Sequence, residues 1–129
     1  MSNSLLPDEG AVDFYGELLK KGRRGDNLTP HHIPSDAFMQ AKVSGYTRNR
    51  GIAIMMEHPS PGMGGRHRQT LSYGQTPDLR LSPRQALARE VWDVRLIYRN
   101  QGLYTLKIKH GLQQVIQKNK IVWGSIFNK

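Results

Sequence analysis

Apolar side chains along this chain fall into helical spacing at both ends and into one unbroken run near the middle. Across Ala11–Lys21, the positions Val12, Tyr15, Leu18 and Leu19 lie on one helical face, with Lys20 and Lys21 at the favourable C-terminal end. This predicts a short leading helix, stopped by Gly22 and Gly25. Thr29–Ile33 reads as an extended piece bracketed by Pro30 and Pro34, and Asp36–Lys42 as a brief helix. Gly51–Met56 is continuously apolar and predicts a buried strand. The prolines and glycines of Pro59–Gly65 predict a loop, after which Arg66–Tyr73 has room for one or two helical turns before Gly74. Gln75–Leu81 is a linker. Ser82, Pro83 and Gln85 have the pattern of a helix start, a capping box with proline at the first helical position. Leu87, Val91, Val94 and Tyr98 line one face of the helix that follows, as far as Gly102. A last helix is expected from near Lys109, carrying Leu112, Val115 and Ile116, and Ile121–Phe127 reads as a strand or a docked tail. The expected class is α+β in a single domain over residues 1–129, with a loose polar leader over 1–10 and a helical tail over 82–129.

Composition narrows the chemistry. The chain has 129 residues, 37% of them hydrophobic, and a formal net charge of +9. That imbalance points to a polyanionic partner, nucleic acid first among them, against the plainer reading of a solvated basic surface. The charge is uneven: after Asp93 there is no acidic residue, while Arg95, Arg99, Lys107, Lys109, Lys118, Lys120 and Lys129 follow. Lys107, Lys109, Lys118 and Lys120 are therefore candidates for gripping phosphates. With no cysteine, disulfides, thiolate metal sites and thiol nucleophiles are excluded, so any metal must be held by His, Asp, Glu or Asn. No apolar run is long enough to span a membrane, and the polar, acidic Met1–Gly10 does not read as a signal peptide.

Two segments carry candidate chemistry. In Thr29-Pro30-His31-His32-Ile33-Pro34-Ser35-Asp36, adjacent histidines on extended backbone point to opposite sides, and the flanking prolines stiffen the piece that aims them. In Arg66-His67-Arg68-Gln69-Thr70-Leu71-Ser72-Tyr73-Gly74, a histidine sits between two arginines just after a glycine-rich loop. Such a histidine suits a metal site beside a phosphate better than a core.

The succession HHIPSDA, GIAIMME and RHRQTLSYG resembles the histidine–metal finger nucleases, the HNH or ββα-metal type, and among them the toxin domains at the ends of bacterial polymorphic toxins. The similarity covers about Asp26–Gly74; the basic tail is similar more loosely. The resemblance implies a metal-dependent endonuclease, cutting DNA before RNA, with a small ββα-metal core. His32 would be the general base that deprotonates water. His31 and His67 would hold one divalent cation (Mg, Mn, Zn or Ni). Arg66 and Arg68 would lie near the scissile phosphate. As a toxin it would be bacterial, would act in the cytoplasm of a target cell, and would have an immunity protein, expected to be acidic.

The sequence departs from that family pattern at three points. His31 stands where aspartate is common, and a two-histidine site favours a transition metal over Mg²⁺. The asparagine of a strict HNH motif has no clear counterpart, Asn49 being the nearest. The loop Ser60–Gly65 is longer and brings in His58. Glu57 or His58 could complete the metal site, although both read more simply as polar residues at a strand end. His110 is expected at the surface, and Trp92 and Trp123 in the core or as docking anchors. The competing function is a basic module that binds nucleic acid without cutting it, which would need none of His31, His32 and His67. A ribonuclease on the same fold is the other alternative.

Overall fold

A computed structural model of the chain describes residues 4–127. Three strands, β1 (Val12–Phe14), β2 (Leu28–His32) and β3 (Ile52–Glu57), form an antiparallel sheet in the order β1-β3-β2. Among the described residues five helices accompany it: α1 (Tyr15–Lys21), α2 (Asp36–Lys42), α3 (Pro83–Asn100), α4 (Leu106–Val122) and α5 (Gly124–Phe127). The class is α+β. Single 3-10 turns occupy Arg48–Arg50 and His67–Gln69.

β3 is buried along its whole length, as its unbroken apolar run predicts. Its alternate faces serve two cores. Ile52, Ile54 and Met56 join the main cluster with Phe38, Leu87, Val94, Tyr98, Ile108, Leu112 and Val115. Ala53 and Met55 face Tyr15 and Leu18 of α1. Helix α4 comes close to the sheet because Gly111 leaves room: a Cβ there would lie 2.7 Å from the Gly10 carbonyl oxygen. Asn119 on the same face of α4 donates to the Ile33 carbonyl at 2.9 Å, tying the helix to the end of β2.

Caps written in the sequence set several boundaries. Ser82 and Gln85 form the capping box that opens α3, with Pro83 in its first turn. Ser35 accepts from Phe38 N–H to open α2, and Thr105 accepts from Ile108 N–H to open α4 three residues ahead of Ile108, earlier than its apolar spacing predicts.

Two expectations are corrected, and one alternative is decided. The leading helix begins at Tyr15, not near Ala11, because Val12–Phe14 pairs with Ile52–Ile54 instead. The hydrogen bonds that β3 offers override the local helical spacing. The leader is not loose where it is described: Glu9 is fully buried, Leu6 N–H donates to its carboxylate, and Gly10 N–H donates to the Met55 carbonyl at 2.9 Å. Met1 to Asn3 lie outside the described residues, as does Lys129 of the basic tail. The terminal segment is not a strand: it docks as the short helix α5, whose Phe127 is buried in the main core, which is the docked-tail alternative. Trp123 packs on Tyr46 at 5.4 Å between ring centroids, while Trp92 is half-exposed beneath the Arg95 guanidinium.

Candidate functional site

The two histidines end β2, one of the two edge strands of the sheet. Register pairs His31 with Ile54 and His32 with Ala53, so their side chains leave on opposite faces. His32 goes to the α1 side. Its ring stacks on Tyr15 at 4.2 Å between centroids and 16° between planes. Its Nε2 lies 2.8 Å from the Arg48 carbonyl oxygen. A carbonyl can only accept, so Nε2 carries the hydrogen, and in the neutral ring Nδ1 is the basic nitrogen. Burial lowers the His32 pKa; the Arg48 carbonyl and Asp36 act against that shift. Gly51 makes this seat possible, since a Cβ there would lie 2.6 Å from the His32 Cδ2 and collide with the Tyr46 hydroxyl.

His31 faces the other way and meets His67, at 5.1 Å between ring centroids with the planes at 69°. His67 is held in turn by His58, with the two Nδ1 atoms 2.9 Å apart. Arg68 Nη2 lies 3.1 Å from His58 Nε2 and also reaches the Gly64 carbonyl through Nη1. Because the guanidinium only donates, the order of donation runs from Arg68 to His58 Nε2 and from His58 Nδ1 to His67 Nδ1. Tyr73 closes over both rings, at 5.4 Å from His67 and 6.2 Å from His58. Burial first, then the neighbouring positive groups, pushes His31 down to about 3 and His67 down to about 4. Burial and then Arg68 lower His58 as well. All three rings are uncharged at neutral pH, the form in which imidazole binds metal. Among the described residues, no group of three or more His, Asp or Glu side chains is already arranged around one point to hold a metal ion.

His31, His32 and His67 line one open cleft of about 440 Å³, together with Tyr15, Ser35, Asp36, Arg48 and Tyr73. The structure therefore brings together the three histidines named from sequence, and His58 joins them through His67. The arginines sort differently. Arg66 is fully buried and cannot meet a substrate. Its Nε and Nη2 each lie 2.7 Å from one oxygen of the Glu9 carboxylate, Nη1 lies 3.0 Å from Gln101 Oε1 and 3.6 Å from Glu57, and Nη2 donates to the Ser4 carbonyl at 3.1 Å. Tyr98 donates to the same Glu9 at 2.5 Å. Although burial acts to raise it, these donors hold the Glu9 carboxyl below its ordinary range. Arg66 is thus a structural anchor and not a catalytic residue. Glu57 belongs to this anchor as well, its Oε1 accepting from Arg66 N–H, so the strand-end reading suits it better than metal ligation.

The arginine that does line the cleft is Arg48. Its guanidinium donates to the Tyr15 hydroxyl at 2.9 Å and lies 5.0 Å over that ring, while its carbonyl holds His32. Tyr15, Asp36, Arg48 and Tyr73 were not singled out from sequence. A basic residue within the glycine-bounded segment before β3 was the only available hint for Arg48. Helix α4 does not line the cleft. Lys107 and Lys118 fall on one flank of it, and Lys109 and Lys120 fall on the other, about 200° away at 100° per residue.

Compared with known proteins, the chain matches no family model, no curated protein and no solved structure. Among the described residues, no helix is long and apolar enough to cross a membrane.

Proposed function

We propose that the chain is a metal-dependent endonuclease of the histidine–metal finger type, with His32 as the general base. One observation carries the reading. An uncharged imidazole, held in one tautomer by a backbone carbonyl, shares an open cleft with two further uncharged histidines and an arginine. A pure nucleic-acid binder needs no such assembly. The antiparallel β2–β3 pair followed by the His67 turn supports the ββα-metal comparison, with the helix of that pattern reduced to one 3-10 turn and α2 inserted between the strands.

In this reading His32 Nδ1 takes the proton of the attacking water, a role that suits a ring uncharged at neutral pH. Tyr15 and the Arg48 carbonyl fix the plane and tautomer of that ring. The Arg48 guanidinium, at the cleft wall, is placed to neutralise the phosphate. His31 and His67 would hold the divalent cation, and nitrogen ligands favour a transition metal. Bound there, such a cation supplies Lewis-acid stabilisation of the charge developing on the phosphate. For His67 to offer Nε2, its proton must move to Nδ1, which reverses the bond to His58 and displaces Arg68. The nuclease reading extends to DNA as the first substrate, and to a bacterial toxin with an acidic immunity partner. The basic charge of the chain is what supports those partners.

The test is nicking of supercoiled DNA, and cutting of RNA, across a panel of divalent metals with and without chelator. Chelator should abolish cutting. His32→Ala should lower the rate by about a hundredfold or more, the usual worth of a general base, while metal affinity measured by calorimetry is retained. Cutting by His32→Ala at near the parent rate overturns the assignment.

A further inference from the structure

His58 departs from the ββα-metal pattern, yet it touches the histidine that the pattern assigns to the metal. It follows β3 directly, and its backbone N–H donates to the Asn27 carbonyl at 2.7 Å. The chain then leaves through Pro59 and returns at Gly65, with φ at +88°. Only glycine fits that return, since a Cβ there would lie 2.4 Å from Pro59 Cδ. Two residues later His67 meets His58. Their Nδ1 atoms stand 2.9 Å apart, with 4.9 Å between ring centroids and 61° between planes. Both rings are partly exposed, so a small ion has access to them. Two nitrogens that bind one cation at about 2.0–2.1 Å lie about 2.9 Å apart at a right angle and about 3.4 Å apart in a tetrahedron. The observed separation matches the first, and a small opening of the pair gives the second.

We propose that His58 and His67 hold the divalent cation together, each through Nδ1, and that Arg68 competes with it. Two imidazole ligands select a transition metal such as Zn²⁺. The proposal rests on the endonuclease reading for the use of the cation, and deepens it by adding His58 and fixing the ligand atom of His67. The choice of atom follows from the hydrogens. His67 Nδ1 accepts from His58, so it carries no hydrogen and its lone pair is already free for a metal. Binding there leaves the His67 tautomer unchanged and asks one exchange of His58: a hydrogen leaves Nδ1 and one is taken up on Nε2, with no net proton released. Each ring then tilts so that the two lone pairs meet beside the line between them. Binding through His67 Nε2 is the larger rearrangement, because both rings must exchange tautomers. The cost of the Nδ1 route falls on Arg68. His58 Nε2 turns from acceptor to donor, and Arg68 Nη2, 3.1 Å from it, must leave, while Nη1 keeps the Gly64 carbonyl at 2.9 Å. Arg68 thus opposes the cation twice, by holding the other tautomer of His58 and as a like charge. His31 lies against the same His67 ring at 5.1 Å. Two fixed ligands leave the remaining positions to His31, water and a phosphate oxygen.

The experiment adds Zn²⁺, without nucleic acid, to the chain labelled at its histidine ring nitrogens, and follows the long-range proton–nitrogen correlations of the rings. Nδ1 of His58 and Nδ1 of His67 should move together into the metal-bound range, with hydrogen on Nε2 of both. Movement of His67 Nε2 instead, or an unmoved His58, overturns the proposal. Calorimetry then reads the affinity. His58→Ala should weaken Zn²⁺ binding by about a hundredfold, the upper end of what even the loss of an outer partner costs. Should that variant not fold, the spectrum of the parent decides alone. Arg68→Gln should strengthen binding by about fivefold, the scale of one exposed charge pair. Unchanged or weaker binding in Arg68→Gln overturns the competition, and the tautomer exchange with it. Zn²⁺ held on the two Nδ1 atoms with no cutting of any nucleic acid supports the site and overturns the endonuclease. Zn²⁺-dependent cutting with His67 bound through Nε2 overturns the site and leaves the endonuclease standing.

Discussion

Ionisable side chains are buried in two regions of this small protein, and the two are handled in opposite ways. At the Glu57 end of β3, Glu9 and Arg66 are both fully buried, and they are joined by two short hydrogen bonds with Tyr98, Gln101 and Ser4 around them. Toward the other end, His32 shows one fixed ring nitrogen, and Glu90, which accepts from Ser35 N–H through one carboxylate oxygen, keeps the other with no partner. The same kinds of side chain occur in both places. In the first, the donors and acceptors close on each other, which makes a knot. In the second, they stop short of closing, which leaves an open cleft. Burial and satisfaction of hydrogen-bonding capacity together separate Arg66, closed in the core, from Arg48, exposed at the cleft.

The sharpest way to break this contrast is to open the knot. Arg66→Ala should lower stability by about 3–5 kcal/mol in denaturant unfolding, because it strands the Glu9 carboxylate in the core. The double variant Glu9→Gln with Arg66→Met should lose much less than Arg66→Ala alone. If Arg66→Ala cost less than about 1 kcal/mol, the knot would not be structural in the sense meant here.

Glu90 gives the next largest effect, with the opposite sign. Its proton is held more tightly in the folded protein, at about 7, than at the ordinary value of 4.5. The folded state therefore binds more protons between those values. The Glu90 contribution is fully present below pH 4.5 and is lost as pH rises through 7. Glu90→Gln should consequently stabilise the chain relative to the parent by about 2–3 kcal/mol more at pH 8 than at pH 5. Parallel stability profiles for the two proteins would show that Glu90 is paired after all.

Arg48 should affect turnover without affecting the fold. Arg48→Gln keeps the backbone carbonyl that seats His32, so the base remains in place. Cutting should nevertheless fall by about tenfold, while stability stays within about 0.5 kcal/mol of the parent. Loss of stability without loss of rate would move Arg48 from the site to the scaffold.

The smallest expected effect separates the flanks of α4. In a His32→Ala background, Gln at Lys107 and Lys118 is compared with Gln at Lys109 and Lys120 by titrating duplex DNA at several salt concentrations. Only one pair should alter the salt slope, by about 0.9 for each lysine that contacts a phosphate. Equal changes for both pairs would show that DNA wraps the helix, and no change that α4 does not hold it.

Features read within a few residues of one another were legible in the sequence. The start of α3 follows from Ser82, Pro83 and Gln85, the buried strand β3 from five consecutive apolar positions after Gly51, and the opposite aim of His31 and His32 from adjacency on extended chain. Each is set by local geometry, where propensity and period are strongest. Only the tertiary structure decided the rest. Val12–Phe14 became a strand because β3 lies alongside with open hydrogen bonds. Arg66 passed from the expected site to the core because Glu9, 57 residues earlier, and Tyr98, 89 residues after Glu9, converge on it. Arg48 took the place beside His32, and Glu90, with its unpaired oxygen, lies on a cavity built by three separate segments. A side chain's ion pairing and desolvation depend on partners that the chain path brings in from far away, and no local pattern encodes them.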